Sequence, residues 1–410
     1  MPEGRALYIS YDGVLESVAQ SQALGYVKGL SEKGFKFWIV SFEKIHNLSD
    51  RAYIEELDRE LKDKGITWLR MRYHDRPKII STFFDVLSGI FFCLPIVKKN
   101  KIGIIHARAE VPAAIALVLS RVFRIKFIYD RRGILAHDYV DGGMWPKNSV
   151  VTRIAFKFVN ALDKKFLFFS DYIILLTQRI AAIVRDDFLR FKFSKEPRIK
   201  VIPCCVDIER FKPADKERGR LADLSNKFIL TYAGSLGNWY MLSEMIDFYI
   251  RLKAVKSEAH LVIATLSDHA MVENTLRSKK LLQSEYTLTG RKYRDMPELI
   301  ASADAAIMFI KPVYSKIASC PTKFGEFLAS GVPIVINSGI GDTEDIINEK
   351  KVGVVVKGFT EGDYRDSVER LLRLKAEGEV LRQRCRETAI NYFSLEDGVN
   401  KYLEVYNALI

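Results

Sequence analysis

Lys323 and Glu326 stand three residues apart in the run Ser319-Cys320-Pro321-Thr322-Lys323-Phe324-Gly325-Glu326-Phe327-Leu328-Ala329-Ser330-Gly331-Val332-Pro333-Ile334-Val335. Proline ahead of Thr322 and the Gly331-Val332-Pro333 sequence behind Ser330 are start and stop signals for a short helix, with a strand from Ile334. A spacing of three puts the two charges on one helix face. An ammonium beside a helix N-terminus suits phosphate, and a carboxylate suits ribose hydroxyls. The run therefore reads as a cradle for a nucleotide sugar, with Ser319 and Thr322 beside it. The plain alternative is a surface ion pair worth roughly 0.2–0.5 kcal/mol.

Other strand ends carry matching chemistry. Gly234, Ser235, Leu236 and Gly237 follow a strand and precede a helix, where backbone amides can meet phosphate. Arg291 follows Thr289-Gly290, where a guanidinium can clamp a diphosphate and steady leaving-group charge. Its neighbours Lys292 and Arg294 make a solvated basic loop the competing reading. In the first half, Tyr11-Asp12-Gly13 ends the first strand, and Gly13 allows close backbone approach. His106-Ala107-Arg108 and Asp130-Arg131-Arg132-Gly133 end two more strands. Asp130 is placed to act as a base or to orient an acceptor hydroxyl, with His106 beside it, and Arg108 and Arg132 to hold an acceptor phosphate. A structural Arg–Asp network at these strand ends is an equal reading. His106, Asp130, Arg291 and Lys323 are thus the catalytic candidates.

There is no G-x-G-x-x-G, Walker lysine loop, nucleophile elbow or Ser/His/Asp arrangement. No Asp-x-Asp pair for a divalent ion appears, and no histidine joins cysteines at zinc spacing. No metal or other cofactor is expected; the nucleotide sugar is a substrate.

Positioning these groups calls for alternating strands and helices. Strands are expected at 6–11, 37–42, 68–72, 103–106, 127–130, 172–176 and 200–203, with helices such as 17–31 and 112–123 between them. After a polar segment at 207–226 the pattern restarts, with strands at 228–233, 261–264, 286–289, 305–309, 334–336 and 352–356. The fold class is α/β: two doubly wound Rossmann-like domains facing a cleft, spanning 1–205 and 206–394. The amphipathic segment 395–410 is expected to pack back on the first.

The 410 residues are 48% hydrophobic, enough for two cores. Residues 1–200 hold 34 Lys and Arg against 22 Asp and Glu, whereas the remainder holds 29 of each. The first half thus owns the whole net charge of +12, and an anionic membrane surface or lipid phosphate is its expected partner. No dense basic block or aromatic signature points to nucleic acid. The apolar stretch Ile79–Val97, bracketed by Arg76, Lys78, Lys98, Lys99 and Lys101, reads either as a buried core helix or as an interfacial helix gripping anionic lipid. Asp85, Gly89 and Pro95 within it argue against a membrane span. The five cysteines show no paired spacing and no apolar leader opens the chain, so a cytosolic protein, peripheral on the inner face of the membrane, is expected.

The segment Pro321–Pro333 resembles the donor-site segment of family-four glycosyltransferases of GT-B architecture. Val201-Ile202-Pro203, Val206-Asp207 and Phe211-Lys212-Pro213 resemble the approach to that family's linker. Tyr232–Gly237 resembles its first C-terminal strand and loop, and Met296–Asp304 its penultimate helix. The resemblance implies a donor held by the C-terminal domain, an acceptor held by the N-terminal one, retention at the anomeric carbon and no general need for metal. It matches Glu326 to a ribose-binding glutamate and Gly13 to a glycine near the donor phosphates. The chain departs from the pattern at Ala318, where an earlier glutamate is usual, at Gly234-Ser235 in place of Gly-Arg, and in lacking a lysine over 238–242. Phosphate contact is then expected to fall to Lys323 and Arg291.

The expected function is retaining transfer of a sugar from a nucleotide-diphosphate donor to a lipid-linked or cell-envelope glycan acceptor. A nucleotide-sugar epimerase of the same architecture and a non-catalytic glycan-binding or scaffold protein are the alternatives.

Overall fold

The computed structural model describes residues 4–16, 19–76, 78–191, 195–213, 224–291 and 293–410. The chain forms two compact units. The first comprises Met1–Val140, Met144–Pro203 and Leu395–Ile410; the second comprises Asp141–Gly143 and Cys204–Ser394. The expected helix start at Ser17, residue Lys292 and part of the polar segment 207–226 lie outside the described residues.

The first unit is built on β1 (Arg5–Ser10), β2 (Lys36–Glu43), β3 (Ile66–Arg72), β4 (Ile104–Arg108), β5 (Lys126–Asp130), β6 (Tyr172–Leu175) and β7 (Ile199–Val201). They form one parallel sheet in the order β3-β2-β1-β4-β5-β6-β7. The chain moves one way from β1 to β3 and the other way from β4, so the strand order reverses between β1 and β4. Right-handed crossovers then put the Lys78–Asn100, Glu110–Phe123 and Val150–Phe169 helices on one face, where they pack side by side. On the opposite face Leu395–Asn407 packs against Gly25–Glu32. Gly25 and Gly29 lie one turn apart, and a β-carbon on either would meet Leu395 or Val399, so these glycines are what lets the two helices approach. The segment before Gly25 forms a π-turn, Gln20–Leu24, where the sequence pattern predicts continuous helix.

The second unit is built on β8 (Phe228–Ala233), β9 (Ala259–Ala264), β10 (Tyr286–Thr289), β11 (Ala305–Met308), β12 (Ile334–Asn337) and β13 (Gly353–Val356). The sheet is again parallel, in the order β10-β9-β8-β11-β12-β13, and reverses between β8 and β11. β8, β9, β11 and β12 are buried along their whole length, which is why they read in the sequence as unbroken apolar runs.

The Thr322–Ala329 helix sits between β11 and β12. Phe324, Phe327 and Leu328 are fully buried in the core. Gly325 lies against Val206 and Phe393. The helix ends in a Schellman motif: the Val332 amide donates to the Phe327 carbonyl and the Gly331 amide to that of Leu328, with Gly331 at φ +75°. Arg386 donates to the carbonyls of Ile208, Phe211 and Ala329 and anchors the same end. The N-terminal end carries no side-chain cap.

Candidate functional site

In open parallel sheets, ligands bind outside the carboxyl ends of the strands where strand order reverses. Each unit has one such point.

In the second unit it lies beyond Ala233. Gly234 leaves β8 at φ +126°, and a β-carbon there would collide with the Lys323 ammonium. Lys323 therefore reaches from the first turn of its helix across to the β8 turn. Its Nζ lies 4.1 Å from the ring centroid of Tyr240 and 5.0 Å from that of Tyr232. It makes no ion pair with any carboxylate among the described residues. The plain surface pair with Glu326 is thus absent: Lys323 rests on two aromatic faces, and Glu326 is buried on the same helix. A second lysine, Lys316, is buried with its Nζ 3.4 Å from the Trp239 ring centroid. Two ammonium groups from the β11–β12 connection are thus seated on aromatic rings of the β8 loop.

Two of the β8 loop amides are already engaged. The Gly234 amide donates to the Ala264 carbonyl and the Leu236 amide to Ser267 Oγ at 2.8 Å, so neither points an unused N–H at phosphate. The Ser235 carbonyl accepts from Tyr232 Oη. Lys323 brings a full positive charge to this turn. Ser319 and Thr322 are half-buried at the start of the helix. Arg291 is exposed just past β10, which is the sheet edge two strands away from β8. At about 4.8 Å per strand it starts roughly 10 Å from Gly234.

In the first unit the reversal point lies beyond Ser10 and Arg108. Gly13 is buried, and its missing β-carbon makes room for the Glu43 carboxylate. Glu43 accepts from Ser41 Oγ at 2.6 Å and from the Val14 and Leu15 amides at 2.7 and 3.4 Å. Burial pushes its carboxyl above the ordinary value despite these bonds. The close backbone approach expected at Gly13 is therefore to an internal carboxylate.

His106 and Asp130 are brought together, but inward. Asp130 is 1% exposed. Its Oδ2 accepts from Tyr402 Oη at 2.9 Å and lies 3.3 Å from His106 Nε2, while Oδ1 lies 3.4 Å from Arg132 Nη1. His106 Nδ1 meets Tyr406 Oη at 2.8 Å. Burial favours a neutral Asp130, yet Arg132, His106 and Arg108 outweigh it and hold the carboxyl well below the ordinary range. Burial lowers the His106 imidazole against the pull of Asp130. A base or hydroxyl-orienting carboxylate must be reachable by the acceptor, and this one is buried among partners from β4, the C-terminal helix and Arg132. The network reading is the one this geometry favours. Arg132 also donates to Gln22 Oε1.

Arg108 differs from its neighbours. It is buried, its Nε and Nη1 have no hydrogen-bond partner, and the nearest carboxylate, Asp12, is 3.9 Å away. A buried guanidinium left unsatisfied costs on the order of 1–3 kcal/mol or more, so it is the group here most in need of an oxygen-bearing ligand.

Two parallel sheets with interleaved helices make the α/β two-domain architecture of GT-B glycosyltransferases. Residues 214–392 match the family model described as glycosyl transferases group 1. Sucrose-phosphate synthase from Thermosynechococcus elongatus aligns with a TM-score of 0.76 at 15% identity, over 99% of each chain. HepE from Anabaena, solved with UDP-glucose, aligns at 0.67 and 12% identity over 99% of this chain and 100% of HepE. WaaG, a glycosyltransferase of lipopolysaccharide biosynthesis, aligns at 0.66 and 13% identity over 98% of this chain and 99% of WaaG. At these identities the likeness is one of fold. No curated protein matches the chain in sequence.

Lys316, Trp239 and Tyr240 join the candidate residues here on the strength of these ring contacts, which the sequence does not show. The signal available was the lysine missing from 238–242: with two aromatics in its place, the cation is supplied from the other side of the sheet reversal.

Proposed function

We propose that the protein is a retaining glycosyltransferase that moves a sugar from a nucleoside-diphosphate donor to a lipid-linked or cell-envelope glycan. The observation that carries this reading is the Lys323 ammonium, held over Gly234 on Tyr232 and Tyr240 with no ion pair to a carboxylate among the described residues. A diphosphate leaving group needs a fixed cation whose charge is not already spent. Glu326, four residues from the helix start and buried, is the group proposed for the ribose. Arg108 is proposed to meet an oxygen of the acceptor, and exposed Arg291 is a subsidiary candidate for the outer phosphate. The group 1 domain supports sugar transfer, and the structural neighbours solved with UDP-glucose and UDP support a nucleotide-sugar donor.

The test is incubation with a panel of labelled nucleotide sugars and lipid-linked saccharides, with product configuration read by proton NMR. Transfer with retained configuration is expected, and Lys323→Ala or Glu326→Ala is expected to lower turnover at least about 100-fold with the fold intact. Isomerisation of the donor, or binding without turnover, would replace this reading by an epimerase or a non-catalytic binder.

A further inference from the structure

The Lys78–Asn100 helix has two unlike faces. Ser81, Asp85, Gly89, Cys93 and Val97 recur every four residues and are buried. Asp85 Oδ1 lies 2.6 Å from His74 Nδ1, and its Oδ2 accepts from Tyr11 Oη. Gly89 lies against Ile115 of the neighbouring helix. Ile80, Phe83, Phe84, Leu87 and Phe91 form the opposite stripe, and there Ile80 is 67%, Phe83 64% and Phe91 70% exposed. The segment Ile80–Asn100 is long and apolar enough to cross a membrane, with a mean hydropathy of 2.0. Crossing would strip Asp85 and Gly89 of the partners they have in the sheet unit. The helix is instead held lengthwise against the fold with its apolar stripe outward.

The same face of the unit continues the stripe. Ile154 and Phe158, one turn apart on the Val150–Phe169 helix, are exposed, as are Val118 and Val122 on the Glu110–Phe123 helix between them. Charge is sorted on these three helices. Their acidic residues, Asp85, Glu110 and Asp163, are all buried. Their described basic residues, from Lys98 to Lys165, are all exposed. The outer surface of the three helices is thus apolar and cationic with no exposed anion. Water-facing helices ordinarily mix both signs, and an apolar expanse of this kind marks an interaction surface.

We propose that this three-helix face is the surface by which the protein lies on an anionic lipid bilayer, the phenylalanine stripe entering the headgroup–acyl boundary and the lysines meeting lipid phosphate. This deepens the lipid-linked acceptor reading by naming the surface that brings the enzyme to it, but it stands on its own observations.

The full chain is floated with vesicles of phosphatidylcholine alone and with added phosphatidylglycerol. Binding to the anionic vesicles is expected, weakened by salt and much weaker on the neutral ones. Phe83→Ser with Phe91→Ser is expected to lower the partition at least about tenfold. Lys98→Glu with Lys157→Glu is expected to do the same on anionic vesicles only. Both pairs should keep the wild-type thermal midpoint, since these side chains face outward. Absence of binding to anionic vesicles, or binding by both variants as tight as that of wild type, overturns the proposal. So does sedimentation as a dimer that the phenylalanine variants make monomeric, because a second copy then owns the face. Sugar transfer to a soluble acceptor is measured alongside, so failure of the transferase reading remains separate from failure of this one.

Discussion

Lys323 draws its value from where its charge is left. A lysine on a helix surface normally pairs with a carboxylate one turn away, and Glu326 is available at that spacing. Glu326 is buried and makes no ion pair with Lys323, and the missing β-carbon of Gly234 leaves the space that the ammonium occupies. Gly234→Ala is therefore expected to act like a lysine mutant, displacing the ammonium and cutting turnover at least about tenfold, read by steady-state kinetics with the thermal midpoint as control. Another single residue has a pH signature. Burial, with Asp163 nearby, pushes Glu110 up to about 7 from its ordinary 4.5, against the opposing pull of Arg131. Between those values the folded state keeps a proton that the unfolded chain has lost. Stability therefore falls as pH rises through that window, by up to about 3 kcal/mol. Glu110→Gln should match wild type near pH 4 and exceed it by about 1–3 kcal/mol at pH 8 in urea titrations. Neither environment is legible in the chain: Glu110 opens an ordinary-looking amphipathic helix, and the ring faces under Lys323 come from residues over 80 positions away.

At the scale of elements, the Leu395–Asn407 helix completes the first unit. Tyr402 and Tyr406, one turn apart, bring their hydroxyls to Asp130 and His106. Tyr402→Phe removes a bond to an ionised carboxylate, and a loss of about 1.5–3 kcal/mol is expected in denaturant unfolding, with turnover per folded molecule retained. Loss of turnover without loss of stability would instead return Asp130 to catalysis. The strands were readable because each is a short apolar run between turn signals, so all the expected strands appear, shifted at most two residues at their ends. The Thr322–Ala329 helix was readable from Pro321 and Gly331 for the same kind of reason. The network around Asp130 was open in the sequence between catalysis and structure, because only the C-terminal helix supplies its tyrosines. Likewise Ile79–Val97 was open between core and interface. The helix has one buried face and one exposed apolar face, a distinction that composition averages away.

At the scale of the whole molecule, the imbalance between the halves becomes intelligible. The excess cations of residues 1–200 include those on the exposed face of three helices whose acidic residues point inward. The second half is neutral overall, so the diphosphate affinity proposed for it has to come from placed charge rather than from net charge. Calorimetric titration with UDP, GDP and ADP, and with the matching nucleosides, tests that placement most directly in wild type and Lys323→Met. The account predicts that one diphosphate binds wild type at least about tenfold more tightly than the variant, while the nucleoside binds both equally. A variant that binds the diphosphate as tightly as wild type would contradict it.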